Sequence, residues 1–298
     1  SQFILCRDCG YSAKCPNCEV SLTFHATVGR LKCHHCGHNQ IVPNRCPDCS
    51  STHIRGFGVG TEKVEEEALR HFPSARVLRM DRDTTARKGG HESILKAFRN
   101  GEADILIGTQ MVAKGLDFPD VTFVGVISAD TSINVPDFRA SERTFQLLTQ
   151  VSGRAGRGEH PGSVVIQAFT PDHIGLTCAA TNDYGKFYRS EISFREKVGY
   201  PPFRNLANVV ISDPTDLGAK SLAQMLHAKL KGNLPNDFEI LGPNSAPLSR
   251  VKQLFRYHIV IKSPPDVSIS SPLRTILSQL SATERRHISI DIDPYNLS

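Results

Sequence analysis

CRDCGYSAKCPNCEVSLTFHATVGRLKCHHCGHNQIVPNRCPDC, residues 6–49, decides how the rest of this chain is read. It holds eight of the nine cysteines as four Cys-x-x-Cys pairs: Cys6 and Cys9, Cys15 and Cys18, Cys33 and Cys36, Cys46 and Cys49. Such a turn points two thiolates at one ion, and two turns complete a tetrahedral sulfur site. Gly10 and Gly37 follow their pairs and suit a tight knuckle, while Pro16 and Pro47 stiffen two of the turns. Sequential sharing would close a site across the five residues between Cys9 and Cys15. Nesting gives an inner site of Cys15, Cys18, Cys33 and Cys36 with fourteen residues between its pairs, close to the ribbon pattern. The outer site is then Cys6, Cys9, Cys46 and Cys49, and the nested arrangement is the one expected.

Composition says which cysteine chemistry to expect. The chain has 298 residues, 39% hydrophobic and 22% charged, enough for two or three domains. No run approaches the ~18 apolar residues of a membrane span, and residues 1–7 lack the features of a signal peptide. A cytoplasmic, reducing setting is therefore expected, where clustered cysteines mean metal rather than disulfides. All four positions of each site are thiolates, so two structural Zn2+ ions are expected, with no open position for catalysis. An iron–sulfur cluster and reversible disulfides are the rival readings. The lone Cys178 reads as a small buried hydrophobe. His25, His34, His35, His38 and His53 read as bystanders or DNA contacts. Phe24 and His25 read either as a hairpin tip that splits a duplex or, for Phe24, as module core. The net charge of +5 permits nucleic-acid binding without requiring it.

Beyond the cysteines the pattern alternates. Apolar, β-rich runs at 76–80, 105–107, 121–127 and 164–168 are separated by helix-like stretches at 61–71, 90–98 and 141–151. That order reads as a parallel sheet with crossover helices, an α/β domain over 53–175. Two loops carry chemistry. GTQMVAKGLDFPDV at 108–121 follows a strand, where such sheets bind ligands. QVSGRAGRG at 150–158 alternates small residues with two arginines, so backbone and guanidinium groups both reach phosphate.

Together these loops resemble motifs V and VI of superfamily 2 helicases. With the cysteine block, RMDRDTT at 79–85 and DFRASER at 137–143, the chain resembles the C-terminal portion of the PriA (primosomal protein N′) family of replication-restart helicases. The resemblance implies a RecA-like second helicase lobe with an inserted two-zinc module. It implies that Arg154, Arg157 and Gln150 reach the γ-phosphate, and that Gly115 and Asp117 lie at the nucleotide. Thr109 and Lys114 would contact DNA. ATP and Mg2+ are the implied cofactors of the full-length protein, and nested zinc pairing is implied as well. Implied partners are single-stranded and forked DNA, single-stranded-DNA-binding protein, other primosome proteins and the replicative helicase loading machinery. A monomer associated with the bacterial nucleoid, off the membrane, is expected.

No G-x-x-x-x-G-K-[ST] loop and no Asp-Glu-x-His occurs. The expectation is a C-terminal fragment lacking the first helicase lobe, inactive alone as an ATP hydrolase. After a zinc module at 1–52 and the lobe, residues 176–202 read as a connecting helix. Residues 203–298 read as a small α+β domain of split βαβ (βαββαβ) order. Within it Arg250, Lys252 and Arg256 alternate with Phe255 and Tyr257, suggesting either phosphate contact with base stacking or a solvated strand edge with its aromatics in the core. The alternative to a motor is a zinc-stabilised DNA- and primosome-binding module; a redox-active thiol protein is a third, weaker reading.

Overall fold

The computed structural model of the chain describes residues 3–16, 20–25, 29–33, 36–57, 60–81, 84–85, 90–109, 112, 118, 120–153 and 162–297, without the side chains of His25 and Phe57. Two compact units emerge. One joins Ser1–Gly56, Asn134–Ser141 and Gly185–Ser298; the other joins Phe57–Ile133 and Glu142–Tyr184.

The second unit is α/β. Strand β6 (Val77–Met80) pairs in parallel with β7 (Ile105–Gly108), and β8 (Phe123–Val126) in parallel with β9 (Ser163–Ile166). Parallel neighbours need a crossover, which α2 (Gly90–Arg99) supplies between β6 and β7. Helices α3 (Asp130–Ile133) and α4 (Ala140–Ser152) lie between β8 and β9 in sequence. Helix α1 (Thr61–His71) starts where the sequence suggests, but Gly60 is its N-cap. The Thr61 hydroxyl instead donates to Asp81 at 2.8 Å.

The single helix expected over 176–202 is in fact two, α5 (Ile174–Ala180) and α6 (Tyr184–Val198). Asn182 adopts φ +53°. The Asp183 N–H then reaches the Cys178 carbonyl at 2.9 Å, and the Asn182 N–H reaches Ala179 at 3.3 Å. This is a Schellman stop, for which asparagine tolerates the left-handed conformation. Cys178 lies buried in α5.

In the first unit, β1 (Phe3–Cys6) pairs with β5 (Ile54–Phe57), while β2 (Thr23–His25), β3 (Arg30–Lys32) and β4 (Asn39–Ile41) form an antiparallel sheet. The C-terminal residues run β10 (Asn205–Asp213), α7 (Asp216–Asn233), β11 (Glu239–Val251), β12 (Leu254–Ser263), α8 (Ser270–Ser278), α9 (Ala282–Arg286) and β13 (Ile288–Ile292). The sheet order is β11-β12-β10-β13, and all neighbours are antiparallel. One core gathers Val209, Ile211, Leu226, Leu230, Ile259 and Leu273. A second cluster, of Phe138, Tyr200, Leu206, Val260 and Leu297, ties the segment 134–141 to this domain. No described helix is long and apolar enough to cross a membrane.

Candidate functional site

The leading cysteines of the four pairs share one backbone bond. The N–H of each leading cysteine bonds to a carbonyl five residues on: Cys6 to Tyr11 at 2.9 Å, and Cys15 to Val20, Cys33 to His38 and Cys46 to Ser51 at 2.8 Å. Within three of these loops the residue after the second cysteine turns back on the first. Gly10, Gly37 and Ser50 donate to the carbonyls of Cys6, Cys33 and Cys46 at 3.0, 3.0 and 2.9 Å. All three adopt left-handed φ values of +79°, +80° and +60°, which glycine takes without penalty and serine does not. The turn aims both thiols of a pair to one side.

Those turns bring Cys6, Cys9, Cys46 and Cys49 together, every Sγ within 4.8 Å of the others. Cys6 and Cys49 are 3.6 Å apart and Cys9 and Cys46 3.4 Å. A single ion with four ligands at Zn–S of about 2.3 Å would hold its sulfurs about 3.8 Å apart, so the set is nearly at metal-binding spacing. It is far from the ~2.05 Å of a disulfide. Cys15, Cys33 and Cys36 form a second cluster on the same criterion, with Cys15 and Cys36 at 3.4 Å; Cys18 is outside the described residues. Residues of the outer and the inner pairs are thus gathered separately.

The protonation of the first cluster points the same way. Burial opposes ionisation of Cys6, but the N–H groups of Cys9 and Asp8 and the neighbouring thiols outweigh it and lower its pKa to about 7. For Cys9 the N–H of Tyr11 favours the thiolate; burial and the sulfurs of Cys49, Cys46 and Cys6 prevail and push it up to about 12. Ionisation of one thiol thus opposes that of its neighbours, and a bound divalent cation would remove that opposition. The residues present therefore fit a structural zinc ion.

The shell around the sulfurs is polar on one side. Asp8 accepts from Ser51 at 2.5 Å and from His53 at 3.2 Å, bracing the first knuckle against the last. His53 is thereby placed as a brace. His38 contacts Gln40 at 3.3 Å, and His34 and His35 are outside the described residues. Phe24 is partly buried and packs against the small core that includes Ile4, Leu22 and Leu31. Gly37 lies against Asn244 of β11, where a Cβ would collide with the Asn244 side chain.

Of the helicase-like loops, the described part is limited. Thr109 stands exposed just past the end of β7, and Gln150 is exposed on α4. Lys114, Gly115, Asp117, Arg154 and Arg157 lie outside the described residues. Gly108, which opens the first loop, has no room for a side chain: a Cβ there would meet Val112 and come within 2.7 Å of the Met80 carbonyl.

Two motifs have structural duties that their sequence does not announce. In RMDRDTT, Asp81 accepts from the Thr84 N–H at 3.0 Å and the Thr61 hydroxyl at 2.8 Å, and pairs with Arg79 at 3.2 Å. The Thr84 amide, the Thr61 hydroxyl and the Arg79 charge hold its carboxyl at about 2. Arg79 also meets Glu62 and Glu65 of α1, clasping that helix to β6. In DFRASER, Phe138 stacks on Tyr200 with centroids 4.7 Å apart, and the Arg139 guanidinium lies 5.2 Å from Phe138 and 5.0 Å from Tyr295. Asp137 accepts from the Leu297 N–H at 3.2 Å. The partners lie up to 160 residues away, a separation that no local pattern signals.

Comparison with known proteins gives one consistent answer. Three family models match: a PriA DNA helicase Cys-rich region over 15–40, a helicase conserved C-terminal domain over 54–159, and a primosomal protein N C-terminal domain over 196–295. The replication restart protein PriA of Bacillus subtilis is 52% identical over 99% of this chain and 37% of its own length. The protein of the same name from Synechocystis sp. is 42% identical, covering 100% of this chain and 36% of its own length. That from Treponema pallidum is 39% identical over 98% and 44%. The chain thus spans less than half the length of these curated relatives. In its cysteine-rich, helicase and C-terminal regions alike, the chain belongs to the PriA replication restart family.

Proposed function

We propose that this chain is the zinc-binding, second-lobe and C-terminal part of an ATP-dependent 3′→5′ DNA helicase that restarts replication at stalled forks. The observation that carries the reading is the match of 98–100% of this chain to replication restart proteins, beside family models for a Cys-rich region over 15–40 and a helicase C-terminal domain over 54–159, the span that holds both helicase-like loops. Cys6, Cys9, Cys46 and Cys49 would hold one zinc ion, and Cys15, Cys18, Cys33 and Cys36 the other. Each ion supplies four strong bonds that fix a module with little core of its own.

In the second lobe, Arg154 and Arg157 would stabilise charge developing on the transferred phosphoryl group, with Gln150 at the same phosphate. Gly115 and Asp117 would approach the nucleotide. Thr109, exposed at a strand end, offers an N–H and a hydroxyl to a strand phosphate, with Lys114 adding charge. Alone the chain would not hydrolyse ATP, because the residues that hold Mg2+ and the phosphates would come from the first lobe. The C-terminal residues 203–298 would form a split βαβ domain that meets DNA and primosome partners, single-stranded-DNA-binding protein among them.

The test is Arg157→Ala in the full-length protein. DNA-stimulated ATP hydrolysis should fall by about 10³-fold or more, with bound zinc unchanged. Undiminished hydrolysis would overturn the role of this arginine, and persistence of all function after removal of both Arg154 and Arg157 would favour a zinc-stabilised binding module without a motor.

A further inference from the structure

The hairpin joining β11 to β12 stands apart from the rest of the C-terminal sheet. After Ser245 pairs with Tyr257 the register breaks, and pairing resumes only at Arg250 with Phe255 and Val251 with Leu254. The four residues 246–249 bulge opposite Arg256 alone, whose guanidinium bonds the Leu248 carbonyl at 3.3 Å. Such a bulge re-aims the strand end beyond it. Leu248, Ser249, Arg250, Val251, Lys252 and Gln253 are all exposed.

The turn itself is unusual. Lys252 and Gln253 take φ values of +49° and +66°, the pattern of a type I′ turn, which favours Asn-Gly. Neither a lysine nor a glutamine suits that conformation, and residues kept in it against their preference point to function. Charge adds the second observation. Residues 246–258 contain Arg250, Lys252 and Arg256 and no carboxylate. Two acids at its base are engaged: Asp213, opposite Phe255, with Thr215 at 2.8 Å, and Asp216 with the Tyr257 hydroxyl at 3.0 Å.

We propose that this arm is a contact for double-stranded DNA, with Arg250 and Lys252 meeting backbone phosphates as the two-stranded ribbon seats in a groove. The inference rests on the reading that the chain handles DNA, but not on its motor. The aromatics argue for duplex over a single strand. Phe255 is covered by the Arg250 guanidinium at 4.9 Å, and Tyr257 packs on the domain core. Neither is offered for base stacking, the usual grip on single strands. A two-stranded ribbon, by contrast, fits the major groove.

The experiment titrates salt against binding of a fluorescently labelled DNA duplex to the intact, zinc-loaded chain. The double variant K252N/Q253G removes the lysine while giving the turn its preferred residues, so the melting temperature should hold or rise. Combined with Arg250→Gln, it should weaken binding about tenfold at ~0.1 M salt and flatten the slope of log K against log salt by about 1.8. An unchanged slope in the combined variant would overturn the proposal and leave the arm to a protein partner or to solvent. No measurable binding by the unaltered chain would overturn it too. Neither result bears on the ATPase test of Arg157, so failure here and failure of the motor reading are told apart.

Discussion

Among the described residues the cysteine module has five strands of three or four residues, whereas the C-terminal domain has strands of five to thirteen. Among the described residues, the buried cluster of the module has ten side chains, four of them cysteines. That of the C-terminal domain has fourteen, all apolar, from two helices and two strands and the turns between them. Four knuckles closed by the same backbone bond are what the module has in place of such a core. The comparison teaches that two neighbouring regions of one compact unit can depend on different forces: coordination in one, burial in the other.

The largest effect that would break or confirm this contrast is metal removal. Structural zinc supplies an apparent ~10–16 kcal/mol to a small domain of this kind, far more than the module's few buried aliphatics. A chelator should therefore abolish amide-exchange protection over residues 3–57 while residues 205–292 keep theirs. Loss in both regions together would mean that the C-terminal domain leans on the metal as well.

A smaller effect sharpens the other half. Leu226 is buried at 1% exposure in the C-terminal core. Leu226→Ala should lower the unfolding free energy by about 2–5 kcal/mol, measured by denaturant titration, with bound zinc unaltered. Zinc lost in step with this stability would contradict the separation of forces.

How much of this was legible in the sequence follows the same division. The cysteine pairs and their following glycines were readable because metal ligation fixes spacing and only glycine takes φ near +80° freely. Ser50 holds the same position at +60°, and nothing in its side chain advertises that. Helix α1 and strands β6 to β9 were readable from hydrophobic period alone. Strand β11 runs through Gly242-Pro243 and Pro247 to Val251, which no local pattern announces. Proline lacks only a donor, and an edge strand such as β11 loses little by that. The clasp around Asp81 and the stack of Phe138 on Tyr200 were not legible, since each depends on residues distant in sequence. The contacts of Phe255 and Tyr257 were not legible for a related reason: the groups that engage them come from tertiary packing.

The central claim is that two sulfur sites, paired outer with outer and inner with inner, hold the cysteine module. Elemental analysis of the purified chain alongside titration of reactive thiols tests it most directly. The account predicts two zinc ions per chain and about one reactive thiol, with Cys46→Ser reducing the metal to one. Iron, no metal, or loss of both ions on that single substitution would contradict it.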